Sequence, residues 1–250
     1  CHGVMNTDNF SALGLTLDYG PYGFMDAFNA HHICNHTDEG GRYAYDRQPM
    51  IGHWNCSKLL QATLPLLAPQ PEAAVEIANA ILDRYPPAYA EAMTRRWCDK
   101  LGLREAREGD ADLINRYLTL LHNGHSDFTR SFRHLSRLKA HDDGPAEGVR
   151  DEIADLAAFD AWVPDYRARL RSEQSDDAAR AARMNAVNPK YVLRNHLAQA
   201  AIERAEADDF GEIDTLFRLL LKPFDEQPEF ERYAAEPPES ARHIEVSCSS

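Results

Sequence analysis

The chain has 250 residues, 44% hydrophobic and 27% charged, with 40 Asp+Glu against 27 Lys+Arg and a formal net charge of −13. Those fractions suit one large or two small globular domains. The acidic balance excludes a non-specific polyanion binder, which needs a basic stripe, so no nucleic-acid partner is expected. A nucleotide stays open, because a divalent metal offsets local negative charge. No apolar run approaches the length of a membrane span, so no membrane partner is expected, and no signal peptide is visible.

Residues 1–21, CHGVMNTDNFSALGLTLDYGP, hold two segments rich in acids and amides, HGVMNTDN and DYGP. Between them Leu13, Leu15 and Leu17 alternate with Gly14 and Thr16, the period of a short strand. A small β hairpin with carboxylates on its turns is expected there. The rest of residues 1–50 is rich in glycine and aromatics with little helical period.

From Ile51 the period becomes helical. Ala74, Ile77, Ala78, Ile81, Leu82 and Tyr85 share one stripe, which Pro86-Pro87 should end. Tyr89, Met93 and Trp97 mark the next helix. Leu113, Ile114, Tyr117, Leu118 and Leu121 mark another, closed by Asn123-Gly124. Asp127 is placed to cap a helix carrying Phe128, Phe132 and Leu135. Residues 141–148 read as a polar loop, after which Val149, Ile153 and Leu156 resume the period. Asn188-Pro189 reads as an N-cap followed by Pro at the first helical position, opening a helix through Val192, Leu193, Leu197 and Ile202. Ile213, Leu216, Phe217 and Leu220 give one more. Pro223, Pro228, Pro237 and Pro238 predict an extended tail. The expected organisation is mainly α: loops over 1–50, a body of about eight helices over 51–221, and a tail over 222–250.

The chemistry concentrates at the front. A protein-kinase catalytic loop reads His-Arg-Asp-Leu-x-x-x-Asn, with seven positions from His to the metal-binding Asn. His2 and Asn9 keep that spacing, but Val4 stands where the catalytic Asp would be. A valine cannot accept a proton, which leaves Asp8 as the only carboxylate in the loop. Nine residues beyond Asn9 comes Asp18-Tyr19-Gly20. Magnesium takes hard oxygen donors and usually only one or two carboxylates. The Asn9 carbonyl and the Asp18 carboxylate meet that need. The competing interpretation is a polar hairpin with an Asx turn and no ligand.

Other groups carry less. His31, His32, Cys34 and His36 crowd together, but a structural zinc site needs a second ligand pair and none follows. A surface loop with hydrogen-bonded histidines is expected. Arg42, Tyr43 and Arg47 suit an acceptor protein or a phosphate, and suit structural ion pairs better. Five widely spaced cysteines make no disulfide framework and point to a reducing compartment. Cys56 and Cys98 fall in helical stretches and should be buried and inert. Ala-Pro-Glu, which closes a kinase activation segment, does not occur, so no phosphosite is assigned.

HGVMNTDN, LTLDYGPYGFMDAF, ICNHTDEGGRYAYDRQP, DFTRSFRHLSR, NPKYVLRNHLAQAAIE and the terminal EVSCSS, in that order, resemble the selenoprotein O family. This is a kinase-fold group once classed as pseudokinases. The resemblance implies the C-terminal lobe of a kinase-like fold with a small β hairpin at the catalytic loop. It implies a protein adenylyltransferase that moves AMP from ATP onto Ser, Thr or Tyr hydroxyls of proteins and releases pyrophosphate. ATP lies flipped relative to kinases in that family, which accounts for a base displaced from Val4. By motif, Asp8 would be the proton acceptor. Asn9 and Asp18 would hold Mg2+ or Mn2+, with Asp18 also binding the nucleotide. Some members place selenocysteine at the position of Cys248, which makes Cys248 a redox candidate able to bridge to Cys34.

Three alternatives stay open: ordinary phosphotransfer, which Val4 disfavours; UMP transfer from UTP; and a non-catalytic pseudokinase scaffold, which the joint presence of Asp8, Asn9 and Asp18 disfavours. The family's glycine-containing nucleotide loop, phosphate-binding Lys with its Glu partner, and extra arginines precede this motif. The chain is therefore expected to be a C-terminal fragment with no AMP transfer and little ATP affinity alone. The cytoplasm is the default location, and any targeting address would precede residue 1.

Overall fold

Helical stripes set most of the backbone. The computed structural model describes residues 1–15, 23–142, 144, 146 and 148–244. Among them are nine α-helices: α1 (Gln48–Leu67), α2 (Pro71–Leu82), α3 (Tyr85–Lys100), α4 (Asp110–Gly124), α5 (Phe128–Leu135), α6 (Leu156–Ser172), α7 (Asp177–Val187), α8 (Asn195–Glu206) and α9 (Gly211–Leu220). The chain is thus mainly α, as expected. No helix among the described residues is long and apolar enough to cross a membrane.

The chain forms two compact units. The first takes the described residues of 1–15 and 30–93. In it α1 packs against α2. Ala74 and Ala78 of the α2 stripe are buried, while Ile77 and Ile81 are exposed. Met5, Tyr43 and Ile51 make a small core, with Val4 packed on it. Gly52 on α1 faces Tyr85, whose hydroxyl donates to the Pro49 carbonyl at 2.9 Å. A Cβ at Gly52 would lie 2.5 Å from that hydroxyl, so only glycine admits the ring.

The second unit takes residues 23–29 and the described residues of 94–244. Its centre is a column of aromatics from α4, α5 and α6. Tyr117 stacks on Trp162 at 4.7 Å and Trp162 on Tyr166 at 4.8 Å, with Phe132 edge-on to Tyr117 at 5.3 Å. Buried aromatics keep their polar ends bonded: Trp162 Nε1 donates to Leu113 O at 2.9 Å and the Tyr166 hydroxyl to Leu101 O at 2.7 Å. Tyr191, Ala201, Leu216, Leu219 and Tyr233 form a second cluster under α8 and α9. Asp127 caps α5 as expected, accepting from Arg130 N at 2.9 Å. An isolated antiparallel bridge joins Ala27 to Asp127.

Several expectations need correction. Pro86-Pro87 does not end a helix but lies in the first turn of α3, where a missing N–H costs nothing because that donor has no intrahelical acceptor. Asn188 is not an N-cap. Its side chain clasps Lys100 instead, accepting from Nζ at 2.7 Å and donating to Lys100 O at 2.9 Å. The backbone N–H groups of Lys190 and Tyr191 go to Pro223 O, so the next helix waits until Asn195. The described part of the expected hairpin, up to Leu15, has no strand; Gly14 sits at φ +69°, which breaks the extended run, and Leu13 and Leu15 are exposed. Its remainder, with Leu17, lies outside the described residues. The tail is not simply extended, since Pro228–Ala234 and Glu239–Ala241 are 3-10 turns.

Cys98 is buried as expected and its thiol is pushed up to about 11, chiefly by burial and then by Asp110. Cys56 is only half-buried. Lys100, over the ring of Phe132 at 4.4 Å, is pulled down to about 8 by burial.

Candidate active-site loop

The loop that carries Asp8 and Asn9 is shaped by backbone carbonyls, which any side chain would leave in place. Thr7–Asn9 form a single 3-10 turn, closed by Asn9 N donating to Asn6 O at 3.0 Å. Asn9 Nδ2 donates to Val4 O at 3.0 Å. Fixing the amide nitrogen in this way leaves Oδ1 as the donor atom for a ligand. The Asp8 carboxylate is exposed beside it. Asn9 Oδ1 is a hard oxygen, so this donor fits a magnesium-class cation. Val4 packs against the Met5–Tyr43–Ile51 core, so the position four residues before Asp8 is taken up by packing.

Three residues hold this loop, and sequence reasoning missed two of them, Asn55 and Gln48. Asn55 on α1 is buried, and its Nδ2 donates to Met5 O at 2.9 Å and to Ile51 O at 3.0 Å. The Tyr43 hydroxyl donates to Asn6 Oδ1. Gln48 Nε2 donates to His2 O at 2.9 Å and to Tyr43 O at 3.1 Å. Tyr43 is in turn placed by Asp38, whose carboxylate accepts from Arg42 N and Tyr43 N, both at 2.7 Å. A signal for Asn55 was available: it lies four residues after Ile51, a polar residue on an apolar helix face. Replacing Asn55 by Ala leaves the Met5 carbonyl without its donor. The first unit should lose about 1–3 kcal/mol, read as a lower urea midpoint, with faster amide exchange over residues 5–9.

The arginines of the following segment act on this scaffold. Arg47 Nη1 donates to the carbonyls of Gly40 at 2.9 Å and Gly41 at 3.3 Å. Arg42 lies over the ring of Trp54 at 4.8 Å. Their structural role is therefore carbonyl bracing and cation–π contact, and Tyr43 belongs to the core.

The histidine-rich segment keeps a bonded surface histidine, as expected, and adds a group that the spacing did not show. His31 pairs with Asp46 at 2.8 Å. The side-chain ligand atoms of Cys1, His32 and Cys34 all lie within 4.8 Å of one another. Sequence spacing hid this group because Cys1 is far from the other two along the chain. Asp18 and Cys248, the remaining predicted site residues, lie outside the described residues.

Comparison with known proteins bears on this loop. The family model described as protein adenylyltransferase SelO matches residues 1–221. A protein nucleotidyltransferase YdiU from Methylococcus capsulatus is 63% identical over 251 residues, covering 100% of this chain and 50% of that protein. Proteins of the same name from Burkholderia ambifaria and Burkholderia vietnamiensis are each 56% identical over 259 residues, again with 100% of this chain and 50% of theirs covered. The chain spans about half the length of the curated relatives it matches.

Proposed function

The chain belongs to the SelO family of protein adenylyltransferases, and from that footing we propose that the full-length protein moves AMP from ATP onto Ser, Thr or Tyr hydroxyls of protein substrates, releasing pyrophosphate. The observation that carries this is the pairing of an exposed Asp8 with an Asn9 whose amide nitrogen is tied to Val4 O, while Val4 itself is packed on the core. The base has moved along the loop by four residues, and the reacting phosphorus has to move with it.

In this proposal the acceptor hydroxyl oxygen bonds to the α-phosphorus. The bond from that phosphorus to the bridging oxygen breaks, and pyrophosphate leaves with the electron pair. Asp8 orients the hydroxyl and takes its proton. Asn9 and Asp18 would hold Mg2+ or Mn2+, which supplies charge neutralisation at the phosphates, and Asp18 would lie against the nucleotide. The hydrogen bonds from Asn55, Tyr43 and Gln48 keep the loop rigid, so that little reorganisation accompanies the reaction. The helical units would form the C-terminal lobe of a kinase-like fold, and the protein would act in the cytoplasm.

UMP transfer from UTP is the second reading, favoured by the relatives' broader name of nucleotidyltransferase. Intact-mass analysis of a modified substrate, after incubating the full-length protein with ATP and UTP together, separates them. An adenylyl adduct is expected. A uridylyl adduct alone would give the second reading, and a phosphoryl adduct would overturn both.

A further inference from the structure

We propose that Cys1, His32 and Cys34 form a zinc-class metal site at the entry to the catalytic loop. The three ligand atoms already lie within 4.8 Å of one another. A tetrahedral zinc ion, with bonds of about 2.3 Å to sulfur and 2.0–2.1 Å to nitrogen, needs ligand atoms roughly 3.4–3.8 Å apart. The largest gap is thus about 1 Å wider than zinc geometry requires. Two thiolates and one imidazole are soft to borderline donors, which select zinc over magnesium or calcium. This separates the site from the oxygen donor of Asn9.

The backbone holds both arms of the site in place. The arm ending in Cys1 is anchored next door, where Gln48 binds His2 O at 2.9 Å. The arm carrying His32 and Cys34 is anchored by Tyr45 N donating to His32 O at 3.0 Å and by Asp46 N donating to Ala30 O at 2.9 Å. Cys34 Sγ already reaches Cys1 O at 3.6 Å. His31 turns to Asp46 and takes no part in the group. Three protein ligands leave a fourth position for water. Binding one Zn2+ displaces the two thiol protons to solvent, so affinity rises with pH. The ion would staple the residue before His2 to the segment after Asn29, fixing where the loop of Asp8 and Asn9 begins. The same Cys34 thiol is the one that a bridge to Cys248 would consume, so oxidation and metal binding exclude each other.

The test is a cobalt titration of the reduced, metal-free protein. One equivalent of Co2+ should give a thiolate-to-cobalt charge-transfer band with intense tetrahedral d–d bands, and one equivalent of Zn2+ should abolish both. Cys34→Ser and His32→Gln should each weaken Zn2+ binding by more than the about 10–100-fold that outer-shell changes cause, while Cys56→Ser leaves it unchanged. Oxidised protein with Cys34 mapped in a disulfide should give no cobalt–thiolate band. A reduced wild-type chain that leaves cobalt with its aqueous spectrum overturns the proposal without recourse to any variant. So does a folded Cys34→Ser chain, checked by circular dichroism, that binds Zn2+ as tightly as wild type.

Discussion

Replacing Asp8 by Asn should lower nucleotidyl transfer in the full-length protein by about 10²–10⁴-fold, the usual contribution of a positioned general base. Asn keeps the size and polarity of the side chain and removes its capacity to take a proton. Asp8 is exposed and makes no hydrogen bond or ion pair with another described residue, so stability should stay within about 0.5 kcal/mol of wild type. The loss should fall on kcat, with the KM for nucleotide little changed, because the proposed mechanism has Asp8 act on the acceptor hydroxyl and not on the phosphates. Asn9→Ala gives the contrasting signature. It frees Val4 O and removes an oxygen donor, so its defect should ease as Mg2+ is raised, whereas that of Asp8→Asn should not. Steady-state kinetics across a magnesium series distinguish the two. An Asp8→Asn protein with wild-type kcat would place the base elsewhere.

Arg194→Met should destabilise the second unit by about 3–5 kcal/mol. Arg194 is fully buried, at 1% exposure, and pairs with Asp127 at 2.8 Å and with Asp26. Burial alone would pull the guanidinium pKa down, but Asp127 and then Asp26 outweigh it and hold the group above its ordinary value, so it stays charged. Three pieces of chain meet there. Phe128 N donates to Asp26 O at 2.8 Å, Phe28 N donates to Ser126 O at 2.9 Å, and Arg194 is the residue that precedes α8. Methionine fills the space and leaves two carboxylates facing each other without a cation. The α5 cap survives, since Asp127 still accepts from Arg130 N, which separates this loss from the roughly 1 kcal/mol that a missing cap would cause. Urea unfolding followed by the near-ultraviolet signal of the Trp162 stack reads the effect in the same unit. A midpoint within error of wild type would show that the pairing adds nothing net.

Helix content was legible because apolar stripes at helical spacing leave few other ways to bury surface. The cap at Asp127 was legible for a local reason: the side chain bonds an amide three residues on. What failed depended on distant partners. Asn188-Pro189 carries the local marks of a helix start, yet the Asn188 amide is taken by Lys100, 88 residues away. Leu13 to Leu17 carries the marks of a strand, yet alternation specifies a strand only when a partner or a core lies on one face, and among the described residues Leu13 and Leu15 are exposed. Asn9 was singled out by its spacing from His2, and Asp8 as the only carboxylate in the loop. The hydrogen bonds that hold them were not legible, because Asn55, Tyr43 and Gln48 reach carbonyls and an amide whose identity no residue pattern records. Arg133 shows the same thing in the second unit, donating to the carbonyls of Asn188 and Asn185 at 3.0 and 3.1 Å.

The packing of Val4 on Met5, Tyr43 and Ile51 limits what position 4 can accept. Asn9 binds the carbonyl of residue 4 and is indifferent to its side chain, so the loop could form with many residues there. The core is not indifferent. A carboxylate introduced at position 4 would meet an apolar cluster and lose solvation with no cation to replace it. A single substitution placing a carboxylate at position 4 is therefore opposed by three neighbours at once, one of which also positions Asn6.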